Sequence, residues 1–163
     1  MSNGKEVYFW AVLRISLGII LLWASFDKVF GLGFATASDN SWLSGVSPTY
    51  GFLKAAVKGP FASFYISISG SGIVDLLFMV GLGAIVLCLI LGIGLRIAGW
   101  SGTLMMLLMW SARLPPDNNP IFDEHIIYAI IFVAIAVLRV GSPLGFGDKW
   151  RRLGMVRKYR ILE

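Results

Sequence analysis

Asp123, Glu124 and His125 stand consecutively in "NPIFDEHIIYA", and His125 is the only histidine in the chain. Two carboxylates and an imidazole at the mouth of a long apolar run are a set that could move protons, because imidazole is the side chain whose charge changes nearest neutrality. With Asn119 as the N-cap and Pro120 as the first helical residue, His125 lies about 8 Å along the helix from its start. Tyr128 follows three residues later on the same face. The imidazole and the phenol can hydrogen-bond the carbonyl oxygens of a quinone ring, with Trp110 and Trp23 at the same depth, and His125 can take up the proton when the quinone is reduced. A plainer reading is also open. Acids in a first turn are favoured by the helix dipole, and Asp123 can simply hold His125 as structural glue. One histidine beside carboxylates at no recognisable ligand spacing predicts no metal site.

A second constellation concerns anions. Lys28 and Arg113 close two helices on the same side, Asp27 sits beside Lys28, and Lys54 and Lys58 lie between the first two helices. A small dianion is drawn to such a place, and the guanidinium of Arg113 offers it a fork of donors. Arg14, two turns into the first helix, is expected to snorkel to the nearer headgroups.

Positioning these groups falls to elements set by composition. The 163 residues are 57% hydrophobic and 14% charged, with a mean hydropathy of +0.79, which departs from soluble domains and predicts a single integral membrane domain. Spans are expected at about 7–26, 73–95, 97–114 and 121–140, each near the 20 residues that cross the hydrocarbon. Two-residue alternation is absent, so the expected fold is an all-α four-helix bundle rather than a barrel. "ATA" at Ala35–Ala37 resembles a cleavage site, but the preceding apolar stretch is too long for a signal peptide.

Arg139, Lys149, Arg151, Arg152, Arg157, Lys158 and Arg160 follow the fourth segment and predict a cytoplasmic tail over 141–163, with both termini inside a plasma membrane. The charge implies a bilayer flank and no nucleic-acid partner. The segment 27–72 then lies outside. Ser47-Pro48 and Gly59-Pro60 open two short interfacial helices there. "RISLGIILLWAS" and "RIAGWSGTLMMLLMWSA" hint at a duplicated two-helix unit. Gly81, Gly83, Gly92, Gly94, Gly99 and Gly102 are expected to bring the second and third helices into close antiparallel contact. Cys88 is the single cysteine, so this chain alone builds no disulfide relay.

"LRISLGIILLWASFDKVFG", "WLSGVSPTYGFLKAAVKGPFASFY" and "NPIFDEHIIYA" resemble the DoxX family of small four-helix membrane proteins, the middle stretch its DoxD-like members. The resemblance covers about Arg14 to Gly141. It implies a membrane subunit of a thiosulfate:quinone oxidoreductase, taking thiosulfate to tetrathionate and passing electrons to membrane quinone beside a small DoxA-like subunit. It carries no catalytic residue over. The alternative is a non-catalytic subunit that anchors or stabilises a larger membrane complex or associates with copies of itself.

Overall fold

The computed structural model describes residues 4–117, 119–138 and 140–163, and every regular element among them is helical. Four long helices, α1 (Gly4–Phe30), α3 (Gly72–Leu91), α4 (Leu95–Ala112) and α5 (Glu124–Leu138), run alternately up and down. Between α1 and α3 lie short turns, a five-residue π-helical turn (Phe52–Ala56) and α2 (Ala62–Ser67). After α5 come α6 (Gly147–Arg151), α7 (Gly154–Lys158) and a final turn at Arg160–Leu162. Among the described residues, α1 and α3 are the two helices long and apolar enough to cross a membrane. At 15 residues α5 is a shorter apolar helix.

The expected second and third spans meet near Arg96. The turn falls slightly earlier, because Gly92 takes a left-handed φ of +71° and its amide returns to Cys88 O at 2.9 Å. Gly94, also left-handed at φ +57°, then opens α4. A residue with a Cβ resists that conformation, so the hairpin is fixed by sequence.

One core joins all four long helices: Leu17 and Leu21 of α1, Leu82 and Ile85 of α3, Met106 of α4, and Phe132 of α5 are buried together. The closest approaches are α1 on α3 and α4 on α5. A Cβ added at Gly18 would lie 3.2 Å from Leu89 Cβ, and one added at Gly99 would lie 2.6 Å from Ala136 Cβ. This corrects the expectation of glycine packing between α3 and α4: Gly83 has nothing within 4 Å, and a Cβ at Gly81 would meet only the Met105 methyl, at 3.7 Å. The buried stripe of α3 runs through Met79, Leu82, Val86 and Leu89, which turns those glycines to its flank.

Arg14 overturns a second expectation. It is 0% exposed and does not snorkel. Its Nη1 donates to Leu89 O and to Ile90 O (3.3 Å), and its Nη2 to Pro143 O (3.2 Å) and Leu144 O (3.1 Å). The first two carbonyls end α3 and have no helical donor of their own.

The expected short helices between α1 and α3 are present as the π-turn and α2. They sit over the end of α4, where Leu53 and Tyr65 bury against Ala112. Tyr65 Oη donates to Leu108 O (3.1 Å), and Lys58 N caps Ala112 O (3.0 Å). At the opposite end the basic tail folds back on the bundle. Phe146 N donates to Leu91 O (2.8 Å), Arg96 N to Glu163 O (2.8 Å), and Trp150 Nε1 to Leu162 O (2.6 Å). Arg139, one of the expected flanking cations, lies outside the described residues.

Candidate functional site

The turn into α5 is built by two side chains that read their own backbone. Asn119 Oδ1 accepts from Ile121 N and Phe122 N, each at 2.9 Å, and so closes a turn. That turn keeps residues 121–123 out of the helix. Asp123, not Asn119, is therefore the N-cap: its Oδ1 accepts from His125 N at 3.0 Å and Ile126 N at 3.3 Å, and α5 starts at Glu124 rather than Pro120.

The same carboxylate holds the imidazole. Asp123 Oδ2 lies 2.8 Å from His125 Nδ1, with the two side chains 9% and 8% exposed. The contact selects the tautomer that carries its proton on Nδ1 and leaves the Nε2 lone pair outward. Nε2 makes no hydrogen bond among the described residues. Tyr128 is half-buried against the main core one turn on.

Glu124 is exposed, with Oε1 4.0 Å from His125 Nδ1 and 3.8 Å from Arg113 Nη1. Arg113 Nη2 reaches Asp117 at 3.0 Å, and Lys58 pairs with the same carboxylate. Trp110 Nε1 donates to Ile121 O at 2.7 Å, which pins the connection between α4 and α5 beside the histidine. The structure thus gathers Asp123, Glu124, His125, Arg113, Trp110 and, unforeseen in the sequence, Asp117. Donor atoms of Asp123, Glu124 and His125 lie within 4.8 Å of one another. The positive start of α5 and the Arg113 guanidinium oppose a cation there.

The other expected residues sit on the α1–α3 side. Asp27 is 2% exposed; its Oδ1 accepts from Phe34 N at 3.2 Å, and its Oδ2 has no hydrogen-bond partner among the described residues. Lys28 Nζ donates to Pro48 O at 3.2 Å. Asp75 collects Ser47 Oγ (2.8 Å) and Thr49 Oγ1 (2.5 Å), an anchor that sequence spacing alone did not join. Trp23 is exposed and meets Phe34 edge-on, with ring centroids 5.1 Å apart. No described contact brings Trp23 to His125, or Lys28 to Arg113.

Asp117 is held below the usual carboxylate range, first by the hydrogen bond and charge of Lys58 and then by Arg113. A depressed carboxyl pKa stabilises the fold above the unfolded value, near 3.9, and that contribution is lost as pH falls through the folded value. Amide exchange at Lys58 should therefore be flat between about pH 5 and 8, once corrected for intrinsic rates, and should accelerate in acid below that carboxylate range. Asp117→Asn should bring the faster exchange to neutral pH. An unchanged rate in the variant would show that the pair does not tether this loop.

The fold defines an all-helical protein with two helices suited to a bilayer and a buried Asp–His pair at one helix start. Comparison with protein-family models, with characterised proteins and with solved structures returned no match.

Proposed function

We propose that the chain is a DoxX-type four-helix membrane protein that serves as the membrane subunit of a quinone-linked oxidoreductase, with the quinone bound near His125. The observation that carries this reading is a buried imidazole oriented by Asp123, with an unpartnered Nε2. In that role Nε2 accepts from the hydroxyl of the quinol, or donates to the quinone carbonyl when the imidazole ring is protonated, and Tyr128 lies one helical turn further along α5. Thiosulfate is the proposed reductant: two thiosulfates join as tetrathionate and release two electrons, which with two protons convert quinone to quinol. Lys28 and Arg113 lie on the side such a substrate would approach.

Four spans rather than two are part of the proposal. Large apolar side chains are exposed along α4 and α5 as well as α1 and α3, including Trp100, Leu104, Ile127 and Ile130. By rise, α4 and α5 reach about 27 and 22 Å, short of the roughly 30 Å hydrocarbon core, a mismatch that bilayers absorb at modest cost.

His125→Ala should weaken binding of a quinone analogue about tenfold, the loss of one good hydrogen bond, measured on protein whose cooperative unfolding in detergent shows that it is still folded. Equal affinity in the variant would remove His125 from the site.

A second reading, an anchoring subunit without its own catalysis, is favoured by the state of the cations. Lys28 is bound to a backbone carbonyl, Arg113 and Lys58 share Asp117, and Lys54 is engaged with Tyr50. None stands ready for an anion. Stable co-purifying partners, with no thiosulfate-dependent quinone reduction in the assembled complex, would decide for this second role.

A further inference from the structure

The end of the bundle opposite His125 carries a cleft of about 170 Å³, bounded by α4, α5 and the folded-back tail. It has room for on the order of ten waters, more than a packing defect needs. Arg96 and Arg151 stand on its wall with Trp100 and Trp150, while Leu95 and Ile135 form apolar surface within it. Arg151 is already committed to Asp148 (2.6 Å) and Ser142. Arg96 is exposed and forms no ion pair among the described residues. Glu163 also lines the cleft, yet residues 141–163 hold six basic side chains against two acidic ones. The local field therefore favours an anion.

We infer that this cleft binds the phosphate headgroup of an anionic phospholipid, with Arg96 as its principal donor. The inference shares the bilayer with the reading above and is otherwise independent of the quinone site. A lipid fits better than a free phosphate because the wall continues into exposed apolar surface, Ile97 and Leu104 on α4 and Val137 on α5, along which an acyl chain can lie. The tail points to the same level of the membrane: exposed Phe146, Leu153, Met155 and Ile161 are interspersed with Lys149, Arg152, Arg157 and Arg160. Apolar residues that enter the headgroup boundary, interleaved with cations that meet anionic lipid, make an interfacial element. Trp100 and Trp150 are the residue type that settles at that depth.

The full chain in neutral detergent should unfold at a higher midpoint with added phosphatidylglycerol than with the same mole fraction of phosphatidylcholine, and inorganic phosphate should not reproduce the increment. Arg96→Gln should lower the apparent affinity for phosphatidylglycerol about tenfold, one charge-assisted hydrogen bond, and leave the midpoint in phosphatidylcholine unchanged. Arg157→Gln, on the tail outside the cleft, should keep most of the affinity. The inference is overturned if phosphatidylcholine stabilises equally, if inorganic phosphate suffices, or if the two variants weaken binding alike, which would mean diffuse surface charge rather than a built site.

Discussion

Arg14→Met will cost about 4 kcal/mol of stability, most of a small protein's margin, although methionine fills much of the same volume. The cost follows from the carbonyls left behind. Arg14 donates to Leu89 O, Ile90 O, Pro143 O and Leu144 O, and a buried carbonyl that loses its donor forfeits about 1 kcal/mol or more. Its charge has no carboxylate partner among the described residues. Instead it faces the C-terminal end of α3, where the helix dipole places about half a negative charge. The socket is made of backbone: a Cβ at Gly92 or Gly145 would lie 3.1 Å from the guanidinium nitrogens. Arg14→Lys should recover only part of the loss, because one ammonium cannot face carbonyls from two separate segments as a planar fork does. Denaturant titration in detergent measures both. A methionine variant within about 1 kcal/mol of the parent would refute the role of Arg14 as the counter-ion of this end, and a lysine variant equal to the parent would show that a single charge suffices without the planar fork.

The socket of Arg14 is not encoded in any local stretch of sequence. The depth of that residue in the first helix follows from hydropathy, and an arginine two turns into a membrane helix has a known escape, the headgroups. That Leu89 O and Pro143 O wait at the same level is a property of how α1, α3 and the residues after α5 converge, which no local pattern encodes. Asp123 shows the same limit at short range. An N-cap near the start of α5 was legible, but Asn119 and Asp123 both have the right chemistry, and the choice turned on Asn119 closing its own turn. Long apolar runs made the helices themselves plain, and the break near Arg96 made the hairpin plain, but the left-handed role of the glycines at 92 and 94 shows only in the backbone. The sorting of Arg113, Asp123, Glu124 and His125 to one end, with the basic tail at the other, followed from up-and-down counting alone. Asp75 with Ser47 and Thr49, and Asp117 with Lys58, could not be read, because each joins residues far apart in the chain through a fold that must exist first.

Gly102→Ala is expected to destabilise by about 2 kcal/mol, whereas Gly83→Ala should be neutral or stabilising by up to about 1 kcal/mol. Both are helical glycines in long apolar helices, and alanine is the better helix former at each, so propensity alone predicts two gains. Packing separates them. A Cβ at Gly102 would lie 2.6 Å from Cζ of Phe132, a residue with no exposed surface, while a Cβ at Gly83 would meet nothing within 4 Å. The ring cannot withdraw, because Phe132 sits in the core shared by all four long helices. Small residues at such a contact let backbones approach where the surrounding solvent, lipid included, offers little other drive for helices to associate. A Phe132→Leu background should therefore absorb part of the Gly102→Ala cost, a coupling of sign opposite to that of two residues that support each other. Additive effects of Gly102→Ala and Phe132→Leu, measured by the same denaturant titration, would mean that α4 and α5 are held apart more widely than this contact requires.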